Sequence, residues 1–393
     1  MKTTRRQALQ LTAAGLLPGL LPGLSQAQAG TPFKVGLVLP LTGPFTSTGR
    51  QVEAGARLYL AQNGTTVAGR PIEIILKDDG GVADATRRLA QELITADKVD
   101  VLAGFGLTPL ALSVSQIITQ SKTPAVVMAA ATSSIVAASP YYVRTSVTLP
   151  QTAVAMADWA LRNGIRRAVT MVTDYGPGLD AEKYFKLRFQ QGGGQVLTEL
   201  RSPLRAPDFA PFLQRVRDAN PEALYAFVPS GQGVALIKQF AERGLGQAGI
   251  RLIGDGSVTD DDILNEMGDA AVGTVTAFHY SAAHDSALNK RFVADFIAAN
   301  KVRPNFMAVG GYDGMRVICK ALEATQGKGT GEALVNAMRG QTFESPRGTM
   351  TIDPATRDVV HDIHIRRVER RGGELWNVEF DAVRQMKDPG KQA

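Results

Sequence analysis

The chain has one cysteine, Cys319, and four histidines in 393 residues. A single cysteine excludes an intramolecular disulfide. Val317, Ile318, Ala321 and Leu322 surround it at helical spacing, so a buried, inert thiol is expected. With so few histidines, no Ser-His-Asp or Cys-His constellation suggests itself. His361 and His364 flank Asp362-Ile363 in a strand-like run, which puts the rings on opposite faces and makes a poor metal pair. A dinucleotide fingerprint is also lacking. Gly104-Phe105-Gly106 begins like one, but Pro109 replaces the third glycine, and no ribose-binding acid follows about 20 residues on. Asp260-Asp261-Asp262 lacks the spaced ligands and terminal Glu of an EF-hand and reads as an acidic helix start. No cofactor and no metal are expected. Beyond Ala29 no segment is long and apolar enough to span a membrane.

The start of the chain is of a different kind. Lys2, Arg5 and Arg6 form a basic head, residues 11–24 an apolar core, and Ala27-Gln28-Ala29 an A-x-A cleavage site. The apolar run is too short and too broken by Gly and Pro to span a bilayer. Residues 1–29 are therefore expected to be an export signal cleaved after Ala29, and Thr4-Arg5-Arg6-Gln7 resembles a twin-arginine signal. No Cys follows the core, which argues against a lipid anchor. Cleavage would remove three of the six net positive charges. The tightest remaining basic cluster, Arg366-Arg367 with Arg370-Arg371, contains Glu369 and reads as a solvated strand edge, so nucleic-acid binding is not expected.

What the chain has in abundance is alternation. In residues 33–39 Phe33, Val35, Leu37 and Leu39 alternate with mostly apolar gaps, as in a strand buried on both faces of a parallel sheet. A loop of Thr, Ser, Gly and Pro follows, and then a helix bearing Val52, Ala56, Leu58 and Tyr59. Further strands are expected at 72–77, 101–103 and 125–128, and a second series at 168–172, 195–200, 223–228 and 251–253. Amphipathic helices are expected at 85–95, 110–120, 181–191 and 235–243. This is the pattern of α/β domains with doubly wound parallel sheets. The length beyond the leader exceeds a usual single core, so two lobes are expected. Extended passages at 141–150 and 274–280, and a strand-rich end after two long helices at 287–300 and 305–323, suggest three crossings between them. The expected division is 33–147 with 279–350, and 148–278 with 351–386, a hinge that lets two lobes close on a ligand.

In open α/β sheets ligands bind beyond the carboxyl ends of strands. The loop after residue 39 offers hydroxyls, among them Thr48, backbone groups and the ring of Phe45, which is equipment for holding a small molecule without reacting with it. Thr108 precedes Pro109 and can cap a helix whose first turn offers unpaired N–H groups. A carboxylate there would gain about 0.3–1 kcal/mol, up to ~2 if partly buried.

Leu41-Thr42-Gly43-Pro44, Gly104-Phe105-Gly106-Leu107-Thr108, Ala129-Ala130-Ala131-Thr132, Thr173-Asp174-Tyr175-Gly176-Pro177-Gly178 and Ala308-Val309-Gly310-Gly311-Tyr312-Asp313 stand in an order and spacing that resembles a known family. It is that of the ABC-importer substrate-binding proteins for branched-chain amino acids, amides and aromatic acids, with type I periplasmic binding folds. The resemblance covers nearly all of 33–380. It implies a soluble periplasmic receptor, a monomer and not an enzyme, that hands a small carboxylate to an inner-membrane ABC permease. It further implies that the carboxylate is held by Thr108, Thr132 and backbone groups of Ala130, with Tyr175 facing it from the second lobe. Asp255, in a Gly-Asp-Gly turn, falls near the acid that meets an ammonium in amino-acid binders. Phe45, Phe105 and Tyr175 could enclose an aromatic ring or a branched aliphatic chain, and the imperfect Gly-Asp-Gly match leans towards an amine-free aromatic acid. A sensory module for a receptor kinase and an exported α/β enzyme are the rival readings.

Overall fold

A computed structural model describes residues 30–205 and 207–391. The expected export signal lies outside them. Six strands build the first sheet: β1 (Phe33–Leu39), β2 (Thr66–Val67), β3 (Arg70–Asp78), β4 (Val101–Gly104), β5 (Ala125–Val127) and β6 (Tyr142–Arg144). Their spatial order is β2-β3-β1-β4-β5-β6, with every pair parallel except β2–β3. The second sheet has nine strands: β7 (Arg167–Thr173), β8 (Gln195–Ser202), β9 (Ala223–Phe227), β10 (Arg251–Asp255), β11 (Val275–Phe278), β12 (Thr342–Ser345), β13 (Gly348–Ile352), β14 (Val359–Arg371) and β15 (Glu374–Met386). Strands β8-β7-β9-β10-β11 lie parallel, and β14 then runs antiparallel to β11 with β13 and β15 also paired to it.

Set the β2 hairpin aside and the two parallel blocks share one wiring: the second strand, then the first, third, fourth and fifth. Strand order reverses between β1 and β4 in one lobe and between β7 and β9 in the other. At such a switch point the loops leave in opposite directions and open a crevice at the strand ends. The repetition anticipated from the alternation is therefore real at the level of topology.

Each lobe owes its stability to apolar strands sandwiched by helices. Val35, Leu37, Leu39, Val101 and Ala103 are fully buried, as are Val169, Met171, Leu224 and Ala226. The helices Thr46–Asn63 and Phe306–Ala324 pack against each other on the first lobe, with the edge-on Tyr59–Tyr312 ring pair 5.2 Å apart at their contact. Cys319 is buried there, and burial pushes its thiol up to about 12, in accord with an inert role. No helix among the described residues is long and apolar enough to cross a membrane.

Three local expectations need correction. The helix expected over 110–120 is two short helices, Thr108–Ser113 and Ser115–Ser121, broken at Val114. Asp260-Asp261-Asp262 does not start a helix; Asp260 and Asp261 are buried and Asp262 half-buried. Arg366 is not on a solvated edge. It is buried, with its guanidinium donating to Gly256 O at 3.0 Å and Thr276 Oγ1 at 3.1 Å. Alternation along β14 makes Arg367, not Arg366, the exposed neighbour.

Candidate functional site

The loops at both switch points converge on one cavity. From the first lobe come Thr48, Gly106–Thr108 and Ala129–Ala131, with Phe306 and Met307 at the start of their helix. From the second come Tyr175, Pro177, Phe227, Pro229, Ser230, Asp255, Ser257 and Phe278. Apolar walls with a few convergent hydroxyls are the usual make-up of a small-molecule pocket. Lys, Arg and His do not line it among the described residues; Asp255 is its one charged side chain.

Backbone geometry at the end of β4 shapes the first-lobe side. Gly104 has φ +107°, and a Cβ there would sit 2.5 Å from Val38 O. Phe105 follows with φ +64°, a conformation that costs an L-residue about 1–2 kcal/mol. It is held by hydrogen bonds of Phe105 N to Val38 O and of Ala130 N to Phe105 O, both 3.0 Å. The turn sends the Phe105 ring down into the core, 6.3 Å edge-on from Tyr142, and lifts residues 106–108 to the cavity. Phe105 therefore does not enclose the ligand space. Nor does Phe45, which packs on Leu107 and Leu110 with the Arg205 guanidinium 5.6 Å over its ring.

Thr108 lines the cavity, but as the first residue of its helix; Leu107 is the cap residue and makes no side-chain cap. Its hydroxyl is 2.7 Å from that of Thr132, which stands behind it outside the lining. Ala130 lines the cavity too, yet its backbone is committed: N–H to Phe105 O, and the carbonyl to Arg144 Nη1 at 2.5 Å and Ser146 Oγ at 2.8 Å. Arg144 is the residue that sequence reading missed. Buried at the end of β6, it also donates to Thr132 O at 2.7 Å and pairs with Asp358 at 2.7 Å. One guanidinium thereby fixes the loop 130–132 and ties it to the turn before β14. A charged residue in an apolar stretch, Tyr141-Tyr142-Val143-Arg144, was the available signal.

On the second lobe Tyr175 leads into the helix Gly176–Gln191 and stacks on Phe227, ring centres 6.1 Å apart. Burial, with the Asp255 carboxylate adding to it, pushes the Tyr175 hydroxyl above its usual range. Asp255 ends β10. Its Oδ1 accepts from Ser257 N at 3.0 Å and Ser257 Oγ at 2.7 Å, so it caps the turn beyond Gly256. Its Oδ2 is buried with no partner. Burial raises its pKa, against those hydrogen bonds and the Arg366 charge.

The cleft is closed. Asp262 accepts from Ser47 Oγ at 2.8 Å and Asn305 Nδ2 at 3.0 Å across it, and Asp180 accepts from Ser133 N at 2.8 Å. A Cβ on Gly176 would meet Thr132 Oγ1 at 2.6 Å, so glycine permits the approach of the two lobes there. Of the eight residues expected at the site, Thr48, Thr108, Ala130, Tyr175 and Asp255 line the cavity. Phe227, Phe278, Phe306 and Met307 do so unforeseen, since an aromatic at a strand end reads equally well as core.

Two like-wired lobes closing on a mostly apolar cavity define a bilobal small-molecule binding protein of type I. The chain belongs to the periplasmic binding protein family, whose model matches residues 32–374. It is 40% identical over 365 residues to Leu/Ile/Val-binding protein homolog 6 of Brucella melitensis, covering 92% of this chain and 94% of that one. Among solved structures, an ABC-transporter solute binding protein from Rhodopseudomonas palustris BisB5, in complex with 3,4-dihydroxy benzoic acid, superposes with a TM-score of 0.90 at 55% identity, covering 92% and 99% of the two chains. One from Rhodopseudomonas palustris HaA2, in complex with p-hydroxybenzoic acid, gives 0.89 at 36% identity, with the same coverage.

Proposed function

We propose that this protein is the periplasmic receptor of an ABC importer for hydroxylated aromatic acids. The observation that carries the reading is Asp255: it is the one acid lining a cavity otherwise walled by rings and hydroxyls, and its buried Oδ2 makes no hydrogen bond. A carboxylate cannot sit beside it without repulsion, so the ligand carboxylate belongs at the opposite, first-lobe side, among Thr48 and Thr108. A ring hydroxyl at the far end of the ligand then meets Asp255 as a hydrogen-bond partner. Tyr175, Phe227, Phe278 and Phe306 supply apolar faces between the two ends; burying a ring of about 150–250 Å² is worth roughly 4–6 kcal/mol gross. The bound acids of the two Rhodopseudomonas proteins have this two-ended chemistry and support the assignment.

The ligand is delivered unchanged to an inner-membrane permease. Ser230 and Ser257 are bonded to Asp260 and Asp255 with no imidazole between them, so the cavity offers no activated nucleophile. Residues 1–29 serve as the export signal, cleaved after Ala29, and the lobes hinge near residues 147, 278 and 350. Calorimetric titration with 4-hydroxybenzoate, 3,4-dihydroxybenzoate, benzoate and leucine tests the reading. Both hydroxy acids should bind at least tenfold more tightly than benzoate, with leucine weakest. Tighter binding of leucine than of any benzoate overturns it.

A further inference from the structure

Away from the ligand cavity, three segments bring His284, His364 and Glu379 together. His284 lies on the passage from β11 to the helix Ala287–Asn300, His364 on β14 and Glu379 on β15. One ring nitrogen of each histidine and a carboxylate oxygen of Glu379 all lie within 4.8 Å of one another. His284 Nδ1 is 2.8 Å and His364 Nδ1 3.4 Å from the same oxygen, Glu379 Oε2, and the two rings are 5.2 Å apart. The cluster forms the floor of an open depression whose rim includes Asp285, Asp381 and Arg384.

A hydrogen-bonded His–Glu pair accounts for only part of this arrangement. His364 is buried, its Nδ1 lies 3.4 Å from Glu379 Oε2 against 2.8 Å for His284, and Glu379 Oε1 is buried without a partner. Leaving such groups unsatisfied is costly. Two imidazoles and one carboxylate with an open fourth side form a donor set that suits zinc. Oxygen-seeking Mg²⁺ and Ca²⁺ are poorly served by it. His361 stacks on His279, ring centres 5.2 Å apart, and takes no part in the cluster. His364 finds its partner from another segment, which strand periodicity could not show.

We propose that His284, His364 and Glu379 form a binding site for a divalent transition-metal cation of the zinc class. The metal fastens the passage after β11 to strands β14 and β15. The helix that this passage enters packs on Thr46–Asn63 of the first lobe, so the site braces one of the connections between lobes.

The test uses tag-free mature protein, stripped with chelator and titrated with zinc by calorimetry, with Co²⁺ absorption as a second readout. One zinc per chain should bind, Co²⁺ should give the intense visible bands of a tetrahedral site, and Mg²⁺ at the same concentration should give no heat. His284→Asn and Glu379→Gln should each weaken zinc binding at least tenfold. His284→Asn, on the partly exposed passage between β11 and the helix, leaves the buried strand residues in place, and circular dichroism verifies its fold. Zinc affinity unchanged in folded His284→Asn, or no saturable binding in the parent chain, overturns the proposal.

Discussion

The two lobes share one strand order, yet they present opposite chemistry to the cavity they enclose. The loops of the first sheet bring Thr48, Thr108 and small residues, Gly106 and Ala129–Ala131, close to the ligand space. Those of the second bring Tyr175, Phe227, Phe278 and the Asp255 carboxyl. The first-lobe face is rigid by construction: Arg144 grips two carbonyls of its loop, and the Thr108 and Thr132 hydroxyls hold each other. The second-lobe face carries the ring area and one buried carboxyl, Asp255. On the function proposed above, the same wiring yields an anchor on one side and a reader on the other, because topology fixes where loops emerge while residue type fixes what they recognise.

The comparison is broken most severely at Arg144. Removing one partner of a buried ion pair costs about 3–5 kcal/mol, because the other charge stays buried and unmatched. Arg144→Leu should lower unfolding stability by that amount in urea titration and weaken ligand binding as the loop 130–132 loses its brace. An unchanged urea midpoint would show that the guanidinium does not hold the anchor.

The anchor can be sharpened at its hydroxyls. Thr108→Ala should weaken 4-hydroxybenzoate binding by about 1.5–3 kcal/mol, the range for hydrogen bonds to charged groups, and Thr132→Ala, which acts only through the Thr108 hydroxyl, by less. Because the two hydroxyls bond each other at 2.7 Å, the double variant should lose less than the sum. Calorimetric titration of the four proteins checks this; strict additivity, or unchanged affinity in both, would place the carboxylate elsewhere.

The reader face gives the smallest effect, at Asp255 in the ligand-free protein. Its folded pKa is raised by burial above the ordinary value of about 3.9. The stability this contributes is complete below the ordinary pKa and is lost as pH rises through the folded one. Asp255→Asn, which cannot ionise, should therefore gain thermal stability relative to the parent as pH is raised from about 4 to 7. Melting curves across that range would show the difference growing; a difference independent of pH would mean that Asp255 ionises freely. The same variant should narrow the preference for hydroxylated over plain benzoate.

Much of this molecule is written in its sequence. Apolar alternation in β1 and the helical spacing after it follow from local geometry, since a strand buried on both faces and a helix with one apolar stripe demand those patterns. The loops after such strands were therefore recognisable as cavity-forming loops, and Thr48, Thr108, Ala130, Tyr175 and Asp255 line the cavity. What a loop residue faces is a different matter. Phe105 turns inward because a left-handed backbone at one position reverses its side chain, and Phe45 is drawn to Arg205 of the other lobe. Arg144 and Asp358 are 214 residues apart, and His284 and Glu379 95. Periodicity reports only a residue's own element, so the sequence by itself determined strands, helices and the wiring class. The tertiary structure decided which side chains meet, because burial, ion pairing and hydrogen bonding act between segments that share no local pattern.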